Sequence, residues 1–265
     1  MPESLKNYLG LIAAYVRINL NAQLEYRGAF ISEAVAMFVN DGSWVLFWVM
    51  FFHRFPVLKG WNLQDVMTIW AVAAGSFGIA HALMGNGWHL PTIIVNGQLD
   101  LWMLYPRAVL PHLLLGRTMS TAWGDAAFGY AVYIALVRPD FAHFLMFVFL
   151  TLSVAALYVG FSVASASLGF FVGNAAALCE QWRFAVITFA TYPQSLFSGL
   201  AKLALFTIVP AAFVSYIPVE ALRMLSMRHV LASVFGAVVM LGIGSAMFYA
   251  GLRRYESGNL LSMYG

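Results

Sequence analysis

Apolar residues fall in long blocks along the chain, separated by short polar breaks. No Asp, Glu, Lys or Arg occurs between Asp65 and Asp100, between Asp140 and Glu180, or between Arg228 and Arg253. Each stretch exceeds the roughly 20 residues that carry a helix across a hydrocarbon core about 30 Å thick. Lipid offers no partner to unpaired backbone groups, so a spanning segment is either a helix or part of a closed barrel. The strict apolar/polar alternation of barrel strands is missing. The pattern therefore predicts an all-α integral membrane fold, with no room for a sizeable water-soluble domain.

Breaks in the blocks place six spans, at about 30–52, 65–85, 118–137, 142–171, 176–196 and 229–252. Two segments behave differently. Over 4–27, Leu5, Leu9, Ile12, Val16, Leu20 and Leu24 recur at helical spacing among polar residues, the pattern of an amphipathic helix lying on the membrane surface. Over 197–227 the chain is apolar, but Pro210 and Pro218 interrupt it; proline removes a helical hydrogen bond and clashes with the preceding turn. That predicts two short helices dipping in from one side, a re-entrant pair between spans five and six. Six spans put both termini on one side. Lys6, Arg17, Arg27, Arg107, Arg117, Arg183, Arg253 and Arg254 fall there, against Arg54, Lys59, Arg138, Lys202, Arg223 and Arg228 opposite, a bias that favours cytoplasmic termini. With no internal repeat or low-complexity segment, 1–265 reads as one domain.

Composition sharpens this picture. Of 265 residues, 62% are apolar and 9% charged, whereas soluble domains carry about 25% charged residues. The net charge of +3 is spread thinly, so it reads as membrane-flanking anchors and not as a nucleic-acid surface. The single Cys179 excludes an intramolecular disulfide. The first apolar stretch is short, interrupted by Arg17 and without a small-residue cleavage site, so it is not a secretory signal.

Several chemistries are missing. There is no phosphate-binding G-x-x-x-x-G-K-[ST] loop, no H-E-x-x-H, and no Cys/His cluster to hold a metal. The six histidines are scattered and suit polar caps at helix ends. Small residues recur at four-residue spacing in Ala74/Gly78/Ala82, Ser165/Gly169/Gly173 and Gly242/Ala246/Ala250, which lets helices approach closely within a bundle or between subunits. Ionisable groups inside spans are costly and mark functional candidates: Glu33, Asp41 and Asp125. Each either serves a substrate or proton or pairs with a buried polar group. The segment 86–117 is too rich in proline and polar residues to span, and its part 88–107 stands out. It carries Trp88 and Trp102 as interfacial anchors and Asp100 and Arg107 as exposed charges, the makings of a structured cytoplasmic connection that receives a soluble partner.

Three patterns resemble the permease subunits of ABC-2-type exporters. They are Ile93-x-x-x-Gly97-x-Leu99-Asp100-x-x-x-x-Tyr105-Pro106; Tyr192-Pro193 with Val209-Pro210-x-x-Phe213-x-x-Tyr216-Ile217-Pro218; and Arg253-Arg254-Tyr255-Glu256-Ser257. The resemblance implies six spans, an interfacial N-terminal helix and an outer re-entrant pair. It also implies two permeases, identical or paralogous, around a central path in the inner (plasma) membrane. This chain would bind no cofactor, ATP and Mg being held by two copies of a separate ABC ATP-binding subunit. The coupling element would be 88–107, with Trp88, Gly97, Asp100, Trp102, Pro106 and Arg107. Competing expectations are an integral membrane enzyme acting on lipids through Asp41 or Asp125, which lacks a paired carboxylate in the sequence, and an ATP-independent transporter.

Overall fold

The computed structural model describes residues 5–255, with side chains from residue 10 onward. Among them the α-helices are α1 (Leu5–Glu25), α2 (Arg27–Arg54), α3 (Leu63–Leu83), α4 (Asn86–Val95), α5 (Leu99–Met103), α6 (Val109–Leu115) and α7 (Ser120–Val132). They continue as α8 (Phe141–Ser167), α9 (Gly169–Val172), α10 (Ala176–Ala190), α11 (Gly199–Thr207), α12 (Ile217–Met224) and α13 (Met227–Leu252). Single π-helical turns follow α7 (Tyr133–Val137) and precede α12 (Ala212–Tyr216).

The long helices pack in the order α2, α7, α3, α8, α13, so α3 lies at the centre. Small residues permit this. A Cβ on Gly78 of α3 would collide with the backbone of Ala126 in α7, and one on Gly129 with Gly75. On the other flank, Gly160 of α8 meets the backbone of Met240 and Leu241, and Gly244 of α13 meets the Gly160 carbonyl. Where lipid supplies no hydrophobic drive, such close backbone contact is what holds helices together. The Ala74/Gly78/Ala82 stripe thus works inside the bundle. Gly242, Ala246 and Ala250 face outward, and nothing lies within 4 Å of a Cβ built on Gly242.

Among the described residues, four helices are long and apolar enough to cross a membrane: Arg27–Arg54, Leu63–Leu83, Phe141–Val172 and Met227–Leu252. The third expected span is α7 with its π turn, and Arg138 then adopts a left-handed conformation (φ 55°) that ends it. The fifth is shorter than expected: α10 stops at Ala190, and Tyr192-Pro193 turns the chain, leaving a 15-residue helix about 22 Å long. Over 197–227 the chain is not one straight helix. Gly199–Thr207 and Ala212–Met224 meet at 73° around Pro210. Tyr216 donates to the Phe189 carbonyl (2.9 Å). Arg223 joins Asp65 (2.5 Å) and Glu220 (3.1 Å) and covers the Trp61 ring, fixing α12 to the start of α3.

The opposite end is built differently. The segment expected as a connection between spans folds into α4, α5 and α6. Asn86 Nδ2 donates to Leu113 O (2.8 Å), Gly85 N to Arg117 O (2.8 Å) and Thr118 Oγ1 to Ala82 O (2.5 Å), closing the segment back onto the end of α3. α1 lies along it: Tyr15 Oη meets His112 Nδ1 (2.7 Å), and Asn19 Nδ2 donates to Leu115 O (2.9 Å).

Candidate functional site

A cavity of about 280 Å³ opens between α2 and α10, floored by α3. Its walls are aromatic: Trp70 and Phe77 from α3, Trp88 from α4, Tyr158 from α8 and Phe184 from α10. Two carboxyls face it. Asp41 of α2 and Asp125 of α7 are neighbours, brought together because Gly124 lets α7 press against the Ala34 carbonyl of α2. They are 5% and 3% exposed, and apart from each other's carboxyl, Oδ2 of each meets no hydrogen-bonding group of a described residue. Asp41 Oδ1 has a long contact with Asn40 Nδ2 (3.5 Å). A paired carboxylate, missing from the sequence as a local motif, therefore exists across two helices. Glu33 takes no part; it stands exposed on α2.

Beside this cavity sits a second polar feature. Arg183 of α10 is buried, donates from Nη1 to the Trp88 carbonyl (2.8 Å) and stacks on the Trp88 ring at 4.2 Å. His81 stacks on Phe77 at 4.1 Å, its Nδ1 at 3.0 Å from the Phe77 carbonyl. Trp88, expected as an interfacial anchor, instead points inward: its ring contacts Phe77, His81 and Phe184. Among the described residues, no three His, Cys, Asp or Glu side chains converge as metal ligands do.

The remaining coupling candidates gather at the α4–α6 end. Gly97 turns the chain after α4 with φ 67°, a conformation that glycine adopts freely. Trp102 contacts Tyr105 and His112, and its ring fills the space that the missing side chain of Gly116 leaves. Burial raises the Tyr15 hydroxyl above its ordinary pKa, with Tyr105 adding to the effect and Arg107 opposing it. Burial, then Arg107, lowers His112. Asp100 lies beside the hydroxyl of Tyr255; burial first, and that carboxylate second, push Tyr255 up to about 12. The first and third sequence patterns thus meet in space, although Glu256 and Ser257 lie outside the described residues. Pro106 and Arg107 are exposed, as are Leu101, Met103, Leu104 and Tyr105.

Arg183, Trp70, Phe77, Tyr158 and Phe184 were not among the sequence candidates. Arg183 carried a readable signal, an ionisable residue within an apolar helix. The aromatics carried none, since a lipid-facing ring and a cavity-facing ring look alike in sequence. No curated protein sequence and no solved structure matches the chain. The profile of the ABC-2 family transporter proteins matches residues 38–258, which takes in the cavity, the α4–α6 end and the last long helix. This protein belongs to the ABC-2 family of membrane transporter proteins.

Proposed function

We propose that this chain is the permease subunit of an ATP-driven exporter, working as a dimer in the inner (plasma) membrane and powered by two copies of a separate ATP-binding subunit. The observation that supports it best is the α4–α6 platform. It is pinned to α1, α3 and the end of α13, yet α5 and its following turn expose Leu101, Met103, Leu104 and Tyr105 beside Asp100 and Arg107. An apolar knob flanked by charge, held rigidly outside the spans, suits a protein partner better than open water. ATP and Mg belong to that partner. In this reading six segments span, the pair around Pro210 is re-entrant on the outer side, and both termini are cytoplasmic. A coupling contact shifts the transport cycle only if one partner state binds it better than another.

Asp100→Ala with Arg107→Ala tests the docking assignment by co-purification of the ATP-binding subunit. Losing a charge-assisted contact costs about 1.5–3 kcal/mol, an association weaker by roughly 10- to 150-fold. Undiminished association in the double variant removes the site. Topology is tested in a Cys179→Ala background: Val57→Cys and Asp140→Cys label from outside, Arg117→Cys only from inside, and the reverse pattern overturns the orientation. A second reading, a lipid-modifying membrane enzyme, draws on the Asp41–Asp125 pair; turnover of a lipid by the purified chain without its partner would establish it.

A further inference from the structure

A carboxyl inside a membrane bundle is costly, and two ionised side by side are costlier still unless they share a proton or a positive group joins them. Asp41 and Asp125 are both more than nine-tenths buried, both line the central cavity, and both leave Oδ2 without a partner other than the paired carboxyl. The nearby buried cation does not answer them. Arg183 is committed to the carbonyl and ring of Trp88, and it lines the small adjoining cavity and not this one. The cavity therefore presents two carboxyls side by side and no cation of its own among the described residues.

The remaining walls specify the rest of an occupant. Trp70, Phe77, Trp88, Tyr158 and Phe184 surround the pair. Ring faces attract cations, Trp most strongly, and they also bury apolar surface. Thr121 and Thr191 add small polar edges. The volume of about 280 Å³ sits near the small end of ligand sites, which run upward from ~300 Å³. We propose that this cavity binds an organic cation with an apolar body as the transporter's cargo, the charge against Asp41 and Asp125 and the body among the rings. The assignment of cargo rests on the permease reading; binding itself does not.

The test uses the full chain in lipid nanodiscs, with tetraphenylphosphonium as the cation and tetraphenylborate as an anion of the same shape. Empty nanodiscs correct for partition into lipid. Saturable binding of the cation, with none of the anion, is expected. Asp41→Asn with Asp125→Asn keeps the side-chain shape and lowers cation affinity at least 10-fold. Ala74→Phe, which fills the cavity and leaves both carboxyls in place, lowers it similarly, and Glu33→Gln leaves it unchanged. Absent cation binding, equal binding of cation and anion, or affinity unaltered in both cavity variants overturns the proposal. Co-purification with the ATP-binding subunit is scored separately. Selective cation binding without that partner retains the site and refutes the permease; the partner without cation binding does the opposite.

Discussion

α2 and α3 are near-equal in hydropathy and lie next to one another in sequence, yet their fates differ. Of the most apolar stretch of α3, 83% is buried inside the protein; of α2, 17%. Hydropathy alone does not separate them because lipid accepts an apolar face as readily as a protein core does. Side-chain size separates them. α3 presents Ala71, Ala73, Gly75, Gly78 and Ala80, which let α7 and α8 close upon it. α2 presents Val39, Leu46, Phe47 and Met50 outward and turns inward chiefly at Asp41, Trp48 and Phe52. In a membrane bundle, the central helix is recognised by what is small.

The sharpest way to break this comparison is to enlarge one glycine in each helix. Gly78→Leu drives a side chain into the α7 backbone, and overpacking of this kind costs about 3 kcal/mol or more. Loss of monodisperse protein in detergent is the expected result. Gly42→Leu on α2 meets nothing within 4 Å and is expected to change thermal stability by no more than about 0.5 kcal/mol. Equal tolerance at the two sites would undo the distinction.

A smaller effect lies at the start of α3. Arg223→Ala removes the ion pair with Asp65 and the cover over Trp61. The Arg223 side chain keeps 30% exposure, so solvent screening holds the cost to about 1–2 kcal/mol, read as a lowered melting midpoint that falls further short of wild type at low salt. α2 offers the converse. Phe47→Ala on its outward face costs the isolated chain about 0.5 kcal/mol or less, while any shift from dimer to monomer on size-exclusion chromatography marks that face as the subunit contact.

The smallest expected effect is one of pH. Asp140 caps α8, and hydrogen bonds from the His143 backbone and side chain hold its carboxyl below the usual carboxylate range. A depressed folded-state pKa stabilises above the ordinary value near 3.8 and is lost as pH falls through the lower folded value. Asp140→Asn keeps a capping oxygen but loses the charge, so the variant should fall slightly short of wild type near neutrality, meet it in acid, and lack the wild type's decline in that window. A parallel decline in both proteins would assign the loss to other groups.

How much of this was legible in the sequence varied with the range of the interaction. The amphipathic run at 4–27 became Leu5–Glu25, and Pro210 marks the break between Gly199–Thr207 and Ala212–Met224, whereas Pro218 is taken into the second piece without breaking it. α10 proved shorter than the apolar run that encloses it, since Tyr192-Pro193 ends the helix before the hydropathy falls. The α4–α6 segment read as a connection because five- and seven-residue helices carry too few turns for periodicity to show. The Asp41–Asp125 pair was invisible for a different reason. It depends on the rotation of α2 against α7, set by Gly124 meeting a backbone carbonyl, and no spacing within either helix encodes that.

Trp88 carries a mechanical consequence. It sits at the start of α4, against the cavity wall, while the far end of α4 runs through Gly97 into the exposed turn of α5. Ten residues of helix make a rod of about 15 Å, and a 10° tilt pivoting at its far end swings the near end by about 2.6 Å. That swing is nearly the thickness of an aromatic ring. Because Trp88 is strapped to α10 through Arg183, the motion is shared with the helix across the cavity mouth. The α5 turn and the cavity wall thus stand at the two ends of one ten-residue helix, with Pro91 inside it.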